Sequence, residues 1–484
     1  MKKILSVFLA ALMLFSTTAI GVSAEEATDL KITVANDLHY NATGNAAAIT
    51  KPYTEDYQNA VGTGQLRLEC ELIIDEFLAR VAASDSDAVL LPGDITDRGS
   101  DVELAYMAAK LTAFEKATGK EVYLIPGNHD YFGGCTVEEF KIFYKELVLD
   151  QAIAVDDVTA SYVADINDEY RVLAIDATKP GSVQALDERL YNWIEAQLKA
   201  AQADGKKVIA MSHYNLLEHF IFMNSLHKDS ILTPALELPE LFAEYNVKYT
   251  FVGHTHDHDI EAYTGSNGNT IYDVVTTSIN AYPCAYREVT FGEKVKFETK
   301  YVDKIDTTLL KGKITDATYN LATEDFLTYA YELFGAGLED IIDSYANAKQ
   351  LKKLLGLDAE EDAELCAILD EIVPKLNEVM HMPVYKEDEI EKGKSIESIV
   401  AKYDITVPET DYENIIDAAI DVYLAHVIGD EDNGILSTQF SFITTCFTAM
   451  FNYALEDVTG EQYAQVMSIA CSLLGADMPV DFFK

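Results

Sequence analysis

Gly127-Asn128-His129-Asp130 is the stretch of sequence that decides the fold, together with its counterpart Gly253-His254-Thr255-His256. Each follows a short apolar run, Val122 to Ile125 in the first case and Tyr249 to Val252 in the second. Runs of this length, rich in β-branched and aromatic residues, are typical of buried strands. We therefore predict that these polar residues lie at strand ends, where open α/β sheets place their binding sites.

The same arrangement occurs three more times along the chain. Asp37-Leu38-His39 follows Lys31 to Ala35, Gly93-Asp94 follows Ala88 to Leu91, and His213 follows Val208 to Met211. Each fragment alone is weak evidence, since Asp-x-His occurs by chance and Gly-Asn-His-Asp can be only a tight turn. The ordered set of fragments, each after a predicted strand, indicates one shared metal site.

The candidate ligands supply carboxylate, amide and imidazole groups and no thiolate; they are Asp37, His39, Asp94, Asn128, His213, His254 and His256. Such donors suit divalent or trivalent Mn, Fe or Zn. The set exceeds what one tetrahedral ion binds, so we expect two ions. Two ions roughly 3.5–4 Å apart, bridged by a carboxylate, can acidify a shared water and stabilise both oxygens of a displacement at phosphorus. The sequence therefore predicts phosphoester hydrolysis.

In their order and spacing these fragments resemble the full signature of the calcineurin-like metallophosphoesterases. The resemblance covers roughly residues 28–305 and implies a four-layer α/β/β/α sandwich with a dinuclear centre. It implies that Asp37, His39 and His256 hold one ion, that Asn128, His213 and His254 hold the other, and that Asp94 bridges them. It further implies that His129 contacts the phosphate and assists the leaving oxygen, with Asp130 orienting His129.

The motifs also bear on the branch of this superfamily. His39 and Asp97 stand where purple acid phosphatases have other residues, which disfavours that branch. Gly93 to Gly99 is similar to the serine/threonine phosphatase motif whose arginine binds phosphate, here Arg98, which can equally be a solvated side chain after a turn. The complete set looks most like bacterial class III cyclic nucleotide phosphodiesterases, some of which carry a C-terminal helical domain.

The N-terminus has the pattern of a secretory signal. Met1-Lys2-Lys3 is basic, Ile4 to Ile20 is apolar apart from Ser and Thr, and Val22-Ser23-Ala24 offers small residues for cleavage. We therefore expect residues 1–24 to be a signal peptide and the mature protein to be secreted. We expect no stable membrane span, since the apolar stretch from Ile435 to Leu455 is interrupted by polar residues.

The composition is strongly acidic, with 36 Lys and Arg against 81 Asp and Glu and a net charge of −45. This charge repels polyphosphate backbones, so we expect a small phosphoester as substrate and no long nucleic acid. The six cysteines show no CxxC or Cys/His cluster, which disfavours a structural zinc site. Buried free thiols and one or two disulfides, such as Cys446 with Cys471, remain equally compatible with their spacing.

The chain divides by character near residue 305. Residues 25–305 alternate predicted strands and helices, and we assign them to the metallophosphoesterase domain. Residues 306–484 show helical patterns almost alone, which predicts a separate all-α domain; one of its helices is expected to follow a capping box at Thr410 and Glu413 and to end at Gly429. This domain can cap the pocket, bind a partner or stabilise the first domain, and the sequence does not identify a partner.

Several other residues near the candidate ligands have two interpretations. Tyr40, Tyr131 and Tyr214 can stack on a nucleobase, although tyrosines beside a sheet are more often packing residues. The additional histidines are His219, His227 and His258, which are either polar loop residues or, for His258, a group that supports the ligands.

Three functions remain open at this point. The first is a secreted, metal-dependent phosphodiesterase acting on small diesters, including 3′,5′-cyclic nucleotides. The second is a phosphomonoesterase or nucleotidase that uses the same centre. The third is a non-catalytic surface-binding protein, which the complete ligand set disfavours because binding alone requires neither Asp94 nor His129.

Overall fold

The computed structural model of the protein describes residues 29–49, 64–178, 186–219, 230–232, 237–345, 347–349, 352, 357, 363–385, 394–429, 442, 445, 446, 449 and 453. The predicted signal peptide at residues 1–24 lies outside the described residues, as do His227 and Cys471.

Twelve strands and ten helices are defined in the described residues. The strands are β1 Leu30–Val34, β2 Ala88–Leu91, β3 Glu121–Leu124, β4 Ala154–Val155, β5 Tyr162–Asp165, β6 Tyr170–Ile175, β7 Lys207–Ser212, β8 Tyr249–Val252, β9 Asp259–Thr264, β10 Thr270–Val275, β11 Ala285–Phe291 and β12 Val295–Tyr301. The helices are α1 Cys70–Ala83, α2 Asp101–Thr118, α3 Val137–Phe143, α4 Glu188–Ala203, α5 Glu237–Glu244, α6 Asp316–Glu324, α7 Phe326–Tyr345, α8 Ala363–Met380, α9 Ile396–Val400 and α10 Ile415–Ile428.

The strands form two mixed sheets. The first has the order β12-β11-β1-β2-β3, and its three strands β1, β2 and β3 are parallel. The second has the order β4-β5-β6-β7-β8-β10-β9, and β6, β7, β8 and β10 are parallel. All five strands that were predicted ahead of the polar fragments are present, so this part of the sequence interpretation is confirmed.

Side-chain alternation along the strands orders the layers. Val172 of β6 belongs to the core that joins the two sheets, whereas its neighbour Leu173 packs with α4 and α5. In the first sheet, the Phe291 ring contacts Tyr249 of the second sheet at 5.7 Å, whereas the Tyr286 ring contacts Phe77 of α1 at 5.2 Å. Because successive strand residues face opposite sides, the sheets pack face to face with helices on both outer faces. This agrees with the predicted layered α/β fold.

The described residues from Asp316 to Ile428 that form regular structure are helical, as the sequence predicts. Phe326, Tyr329 and Ala330 of α7 are buried in the same core as the strands. Farther along α7, Phe334 packs with Ala281 and with Leu424 of α10. The first helices of this part therefore pack directly on the sheet-containing part; a separate all-α domain beginning at residue 306 stays a prediction.

The end of α10 occurs where the sequence places it, because Gly429 follows Ile428 with a φ of 69°. Its beginning differs from the predicted capping box at Thr410. The Asn414 side chain accepts a hydrogen bond of 2.9 Å from the Asp417 backbone N–H and thereby caps the helix four residues later. Asparagine is at least as favourable at the N-cap as threonine. Which of the two residues caps α10 therefore depends on where the packed face of the helix begins.

Two further expectations concern the cysteines and the membrane. The five described cysteines are buried free thiols. In the described part of the chain, no helix combines the length and the apolar character that crossing a bilayer requires.

One buried hydrogen bond joins α7 to the sheet-containing part and leads to a prediction. Tyr329 Oη donates to Glu69 Oε1 at 2.5 Å, while burial raises the pKa of Glu69 to about 7. Above that pH the buried carboxylate depends on this bond, and below about pH 5 the carboxyl is protonated. We expect Tyr329→Phe to lower the free energy of unfolding by about 1–3 kcal/mol at pH 8 and by less at pH 5, measured by urea denaturation.

Tyr331→Phe is the matched control, since Tyr331 lies on the same helix and its side chain is 42% exposed. We expect this variant to unfold like the wild type at both pH values. Equal losses for Tyr329→Phe at pH 5 and pH 8 would contradict the role of the charged carboxylate.

Candidate metal centre

The backbone brings all the predicted ligands to the carboxyl ends of parallel strands. Asp37 and His39 follow β1, Asp94 follows β2, and Asn128 follows β3. His213 follows β7, and the residues His254 and His256 follow β8. The expectation that these fragments form one site is met in the structure, because their side chains lie within ligand distance of one another in overlapping groups.

The loops after these strands continue the hydrogen bonding of the sheets. Asp37 N–H donates to Gly93 O at 3.3 Å, and His39 N–H donates to Asp94 O at 3.0 Å. Gly253 N–H donates to His213 O at 3.1 Å. The ligand loops of each sheet are therefore fixed side by side by backbone contacts.

A left-handed backbone conformation is common to most of the candidate ligands. The φ angles are 52° at Asp37, 43° at His39, 48° at Asp94, 71° at His254 and 62° at His256. Asp and His tolerate this region better than most side chains, but it still costs on the order of 1–3 kcal/mol at a residue. Such strain concentrated at one place is typical of a functional site.

Asp37, His39 and His256 form the first group of ligand atoms. His39 Nε2 lies 3.2 Å from His256 Nε2, and Asp37 Oδ1 lies 3.6 Å from His256 Nε2. Donor atoms about 2.0–2.2 Å from a shared ion are roughly 3–3.5 Å apart, so these separations fit a common cation.

Asp94, His213 and His254 form the second group. His213 Nε2 lies 3.2 Å from His254 Nδ1 and 3.0 Å from Asn128 Oδ1. On its other side, His213 Nδ1 lies 3.0 Å from Pro92 O. Since a carbonyl only accepts, Nδ1 carries a hydrogen, and Nε2 is the ring atom that faces the other ligand atoms.

Asp94 connects the two groups. Its Oδ2 lies 3.7 Å from His39 Nε2 in the first group and 3.4 Å from His213 Nε2 in the second. Its other oxygen, Oδ1, accepts the His129 backbone N–H at 2.9 Å. A carboxylate between two sets of ligands is placed as a bridge between two ions.

The electrostatics of these groups suit cation binding. Burial lowers the pKa of His39 and His254 well below the usual value, so both imidazoles are neutral as metal ligands must be. Burial alone raises the pKa of Asp94, but the charge of His213 lowers it well below its usual value, which keeps the carboxylate ionised.

His213 has a different balance. Burial opposes its protonation, but the charge of Asp94 raises its pKa to about 9. The positive charge that this histidine carries beside Asp94 is the charge that a metal ion would supply instead, with release of the proton.

His129 follows β3 of the first sheet, and its ring centroid lies 4.5 Å from that of His39. Its Nδ1 lies 2.9 Å from Asp97 O, and its side chain is 25% exposed. Because the carbonyl accepts, Nδ1 bears a hydrogen and Nε2 is the atom that exchanges a proton with a substrate. The arrangement can act as a general acid when the ring is protonated.

The partner of His129 corrects the sequence interpretation. We expected Asp130 to orient His129, but Asp130 accepts hydrogen bonds from Ile95 N–H at 3.1 Å, Thr96 N–H at 2.9 Å and Gly127 N–H at 2.9 Å. It therefore joins the loops after β2 and β3. The group that contacts the His129 ring is Asp97, whose backbone O lies 2.9 Å from His129 Nδ1, whereas the buried Asp130 carboxylate accepts from the loop after β2.

Asp97 is the functional residue that sequence reasoning undervalued. It is buried, and its Oδ1 lies 3.8 Å from His129 Nδ1 and 4.0 Å from His39 Nδ1. Asn41 Nδ2 donates to its Oδ2 at 2.7 Å. The sequence signal for this position is its place in Gly93 to Gly99, directly before Arg98.

Arg98 and His258 differ from the predicted ligands in their surroundings. Arg98 is 61% exposed, and its Nε lies 3.3 Å from Asp97 Oδ2 at the rim of the site. His258 is buried, with Nε2 2.9 Å from Thr299 Oγ1, and burial lowers its pKa to about 2. His258 therefore packs against β12 rather than supporting a metal ligand.

His219 also has a structural place. Its Nδ1 lies 2.8 Å from Asp259 Oδ2, and its Nε2 lies 3.1 Å from Asp273 Oδ2. Burial opposes its protonation, but these carboxylates raise its pKa to about 9. This histidine thus links the loop after β7 to β9 and β10.

The three tyrosines considered for base stacking are buried packing residues. Tyr40 stacks on Tyr106 at 4.4 Å, and Tyr131 Oη donates to Asp176 Oδ2 at 3.3 Å. Tyr214 lies against the His254 ring at 4.7 Å. None of the three is more than 5% exposed, so packing is the correct interpretation.

Two hydroxyl groups that support the ligand loops were not predicted. Ser278 Oγ donates to Asp37 O at 2.7 Å, and Thr277 Oγ1 donates to His256 O at 2.6 Å. Both follow β10, which is parallel to β8. The rule that polar residues after a parallel strand line the site would have found them.

Comparison with known proteins finds a family similarity over part of the chain. Residues 30–258 match the model of the calcineurin-like phosphoesterase family. No curated protein matches the chain. Among solved structures, a dimetal phosphatase from Danio rerio is similar at 13% identity and a TM-score of 0.41, covering 56% of this chain and 98% of that one.

A purple acid phosphatase from yellow lupin (Lupinus luteus) seeds is similar at 14% identity and a TM-score of 0.38, covering 60% of this chain and 53% of that one. Phosphopantetheinyl hydrolase from Mycobacterium tuberculosis is similar at 12% identity and a TM-score of 0.27, covering 52% of this chain and 90% of that one. The matched residues 30–258 contain all seven candidate ligands, and this match supports a phosphoester hydrolase.

Proposed function

We propose that this protein hydrolyses small phosphodiesters, with 3′,5′-cyclic nucleotides among the candidate substrates, at a two-metal centre. The observation that carries the proposal is the position of Asp94 Oδ2, 3.7 Å from His39 Nε2 and 3.4 Å from His213 Nε2. The class of diester rests on the resemblance of the motif set to class III cyclic nucleotide phosphodiesterases.

The proposed ligands divide into two sets that share Asp94. Asp37, His39 and His256 would hold one ion, and Asn128, His213 and His254 would hold the other. Oxygen and imidazole donors are compatible with Mn, Fe or Zn, so the proposal includes all three ions. When bound, two such ions lower the pKa of water and stabilise the charge that develops on phosphate oxygens.

In the proposed reaction, water gives up one proton to solvent and its oxygen bonds to phosphorus while the bond from phosphorus to the leaving oxygen breaks. Protonated His129 gives its Nε2 proton to that leaving oxygen, and Asp97 O holds Nδ1–H at 2.9 Å throughout. Asp94 Oδ1 fixes the His129 backbone by its 2.9 Å hydrogen bond. The carboxylate that joins the two sets of ligands therefore also positions the proposed acid.

The substrate is proposed to be small because of charge. The chain carries −45, so a long nucleic acid would be repelled over most of the surface. The buried histidine cluster is the local exception and, with its ions, would attract a single phosphoester group.

The proposed diesterase activity is tested by a substrate panel. Bis-p-nitrophenyl phosphate, p-nitrophenyl phosphate and 3′,5′-cyclic AMP are compared as kcat/KM with the purified protein, after metal analysis and with added Mn. We expect the diesters to be preferred and chelation to abolish turnover. A preference for p-nitrophenyl phosphate would instead establish the phosphomonoesterase alternative, and turnover unaffected by metal removal would contradict the metal centre.

Asp94→Asn and His129→Ala form a pair that separates metal binding from proton transfer. We expect Asp94→Asn to lose activity together with one metal equivalent, because the amide lacks the second anionic oxygen of a bridge. We expect His129→Ala to keep both equivalents and to lose roughly 10²–10⁴ in kcat, as for a missing general acid. Elemental analysis and steady-state kinetics on both variants give these quantities.

The same two variants can also contradict the proposed roles of Asp94 and His129. Wild-type turnover of the Asp94→Asn variant would contradict the proposal that Asp94 bridges two ions. Unchanged turnover of the His129→Ala variant would contradict the proposal that His129 is the general acid. Loss of metal from that variant would instead indicate that His129 is a metal ligand.

We also propose that the protein is secreted after cleavage behind Ala24. The support is the basic, apolar and small-residue order of residues 1–24. N-terminal sequencing of the protein from culture medium is expected to begin at Glu25. A protein retained in the cells with Met1 or Lys2 at its N-terminus would contradict this proposal.

A further inference from the structure

Phe132 is an exposed aromatic side chain beside the proposed general acid. It is 59% exposed, and its ring centroid lies 4.5 Å from that of His129. Single exposed apolar side chains are common on protein surfaces and need no explanation alone. Phe132 differs because it directly contacts a residue of the proposed reaction.

Three neighbouring rings lead from the buried ligands to solvent. The His39 ring lies 4.5 Å from the His129 ring, which in turn lies 4.5 Å from Phe132. The His39 and His129 side chains are 1% and 25% exposed, and the residue Phe132 is 59% exposed. Phe132 is therefore the outermost member of a row that begins at a proposed metal ligand.

The turn that carries Phe132 is held firmly on both sides. Phe132 N–H donates to His129 O at 3.2 Å, and Gly134 N–H donates to Tyr131 O at 3.0 Å. Tyr131 is buried, and a Cβ at Gly133 would lie 2.5 Å from Gly99 O, so the turn packs closely on the loop after β2. The ring is thus presented to solvent by a fixed backbone.

We propose that Phe132 forms a subsite for a planar aromatic group on the leaving alcohol of the substrate. This inference rests on the proposed function, because it takes His129 as the group that protonates the leaving oxygen. The leaving alcohol must then lie against His129, and its outer part extends toward solvent where Phe132 is exposed. Aromatic rings prefer offset or edge contacts at this range of separations, which gives a planar group an advantage over a saturated one.

The experiment uses pairs of esters that differ only in the group facing Phe132. Benzyl and cyclohexylmethyl phosphates have similar alkoxide leaving groups and similar size, but only benzyl is planar. Adenosine 5′-phosphate and ribose 5-phosphate share the leaving carbon and differ in the nucleobase. Each is offered as the monoester and as the methyl diester to the full-length, metal-loaded protein, and kcat/KM is measured for both members of each pair.

We expect Phe132→Leu to lower the benzyl to cyclohexylmethyl ratio of kcat/KM by about 2- to 10-fold, the size of an aromatic contact. Phe132→Tyr keeps the ring and should keep the ratio. Ile142→Ala is the control, because Ile142 on α3 is 69% exposed and apolar. Metal content and competitive inhibition by benzylphosphonate and cyclohexylmethylphosphonate are measured on the same variants, so that binding is followed independently of turnover.

The outcomes distinguish this inference from the function on which it rests. If Phe132→Leu lowers the kcat/KM ratio only for the benzyl and cyclohexylmethyl pair, the result supports a subsite for aryl groups close to the leaving carbon. If it also lowers the ratio for the adenosine and ribose pair, the subsite extends to a nucleobase. An active Phe132→Leu protein with unchanged turnover and inhibition ratios overturns the subsite and leaves the proposed function intact. A wild-type protein that hydrolyses none of the esters overturns both.

Discussion

The site depends on the close approach of the Gly127 backbone to the Asp94 carboxylate. A Cβ at Gly127 would lie 2.1 Å from Asp94 Oδ1, which is far inside van der Waals contact. The same approach lets His129 N–H reach that oxygen at 2.9 Å. One missing side-chain atom therefore allows the carboxylate that joins the two ligand groups to be held from β2 and β3 together.

Gly253 has the corresponding role on the second sheet, since a Cβ there would lie 2.5 Å from Asp37 Oδ2. The two glycines bring loops from opposite sheets within reach of the same small space. The left-handed conformations of Asp37, Asp94 and His254 are a further cost of this convergence. The apolar core between the sheets, which contains residues of β1, β2, β7 and β8, offsets that cost and keeps the strand ends in place.

Much of this arrangement could be predicted from the sequence, because strand ends and ligand types are local properties. Apolar runs located the strands that precede Asp37, Asp94, Asn128, His213 and His254, and the donor types indicated two ions. The contact of His129 with Asp97 in place of Asp130 could not be predicted, since it depends on loops that bring the Asp97 carbonyl to the ring and the Asp130 carboxylate to backbone N–H groups. The sequence pattern indicates which residues lie close together, whereas their hydrogen-bond partners follow only from the geometry of the loops.

The loop from Thr276 to Cys284 shows why the helical part bears on the site. On one side its Ser278 hydroxyl donates to Asp37 O, and Leu66 N–H donates to Asn280 O at 2.7 Å. On the other side its Ala281 packs with Phe334 of α7 and Leu424 of α10. Packing of these helices thus restrains the same loop that positions a proposed ligand. The C-terminal helices therefore contact the loop that supports a proposed ligand, although no candidate metal group in the described residues includes a helical side chain from that part.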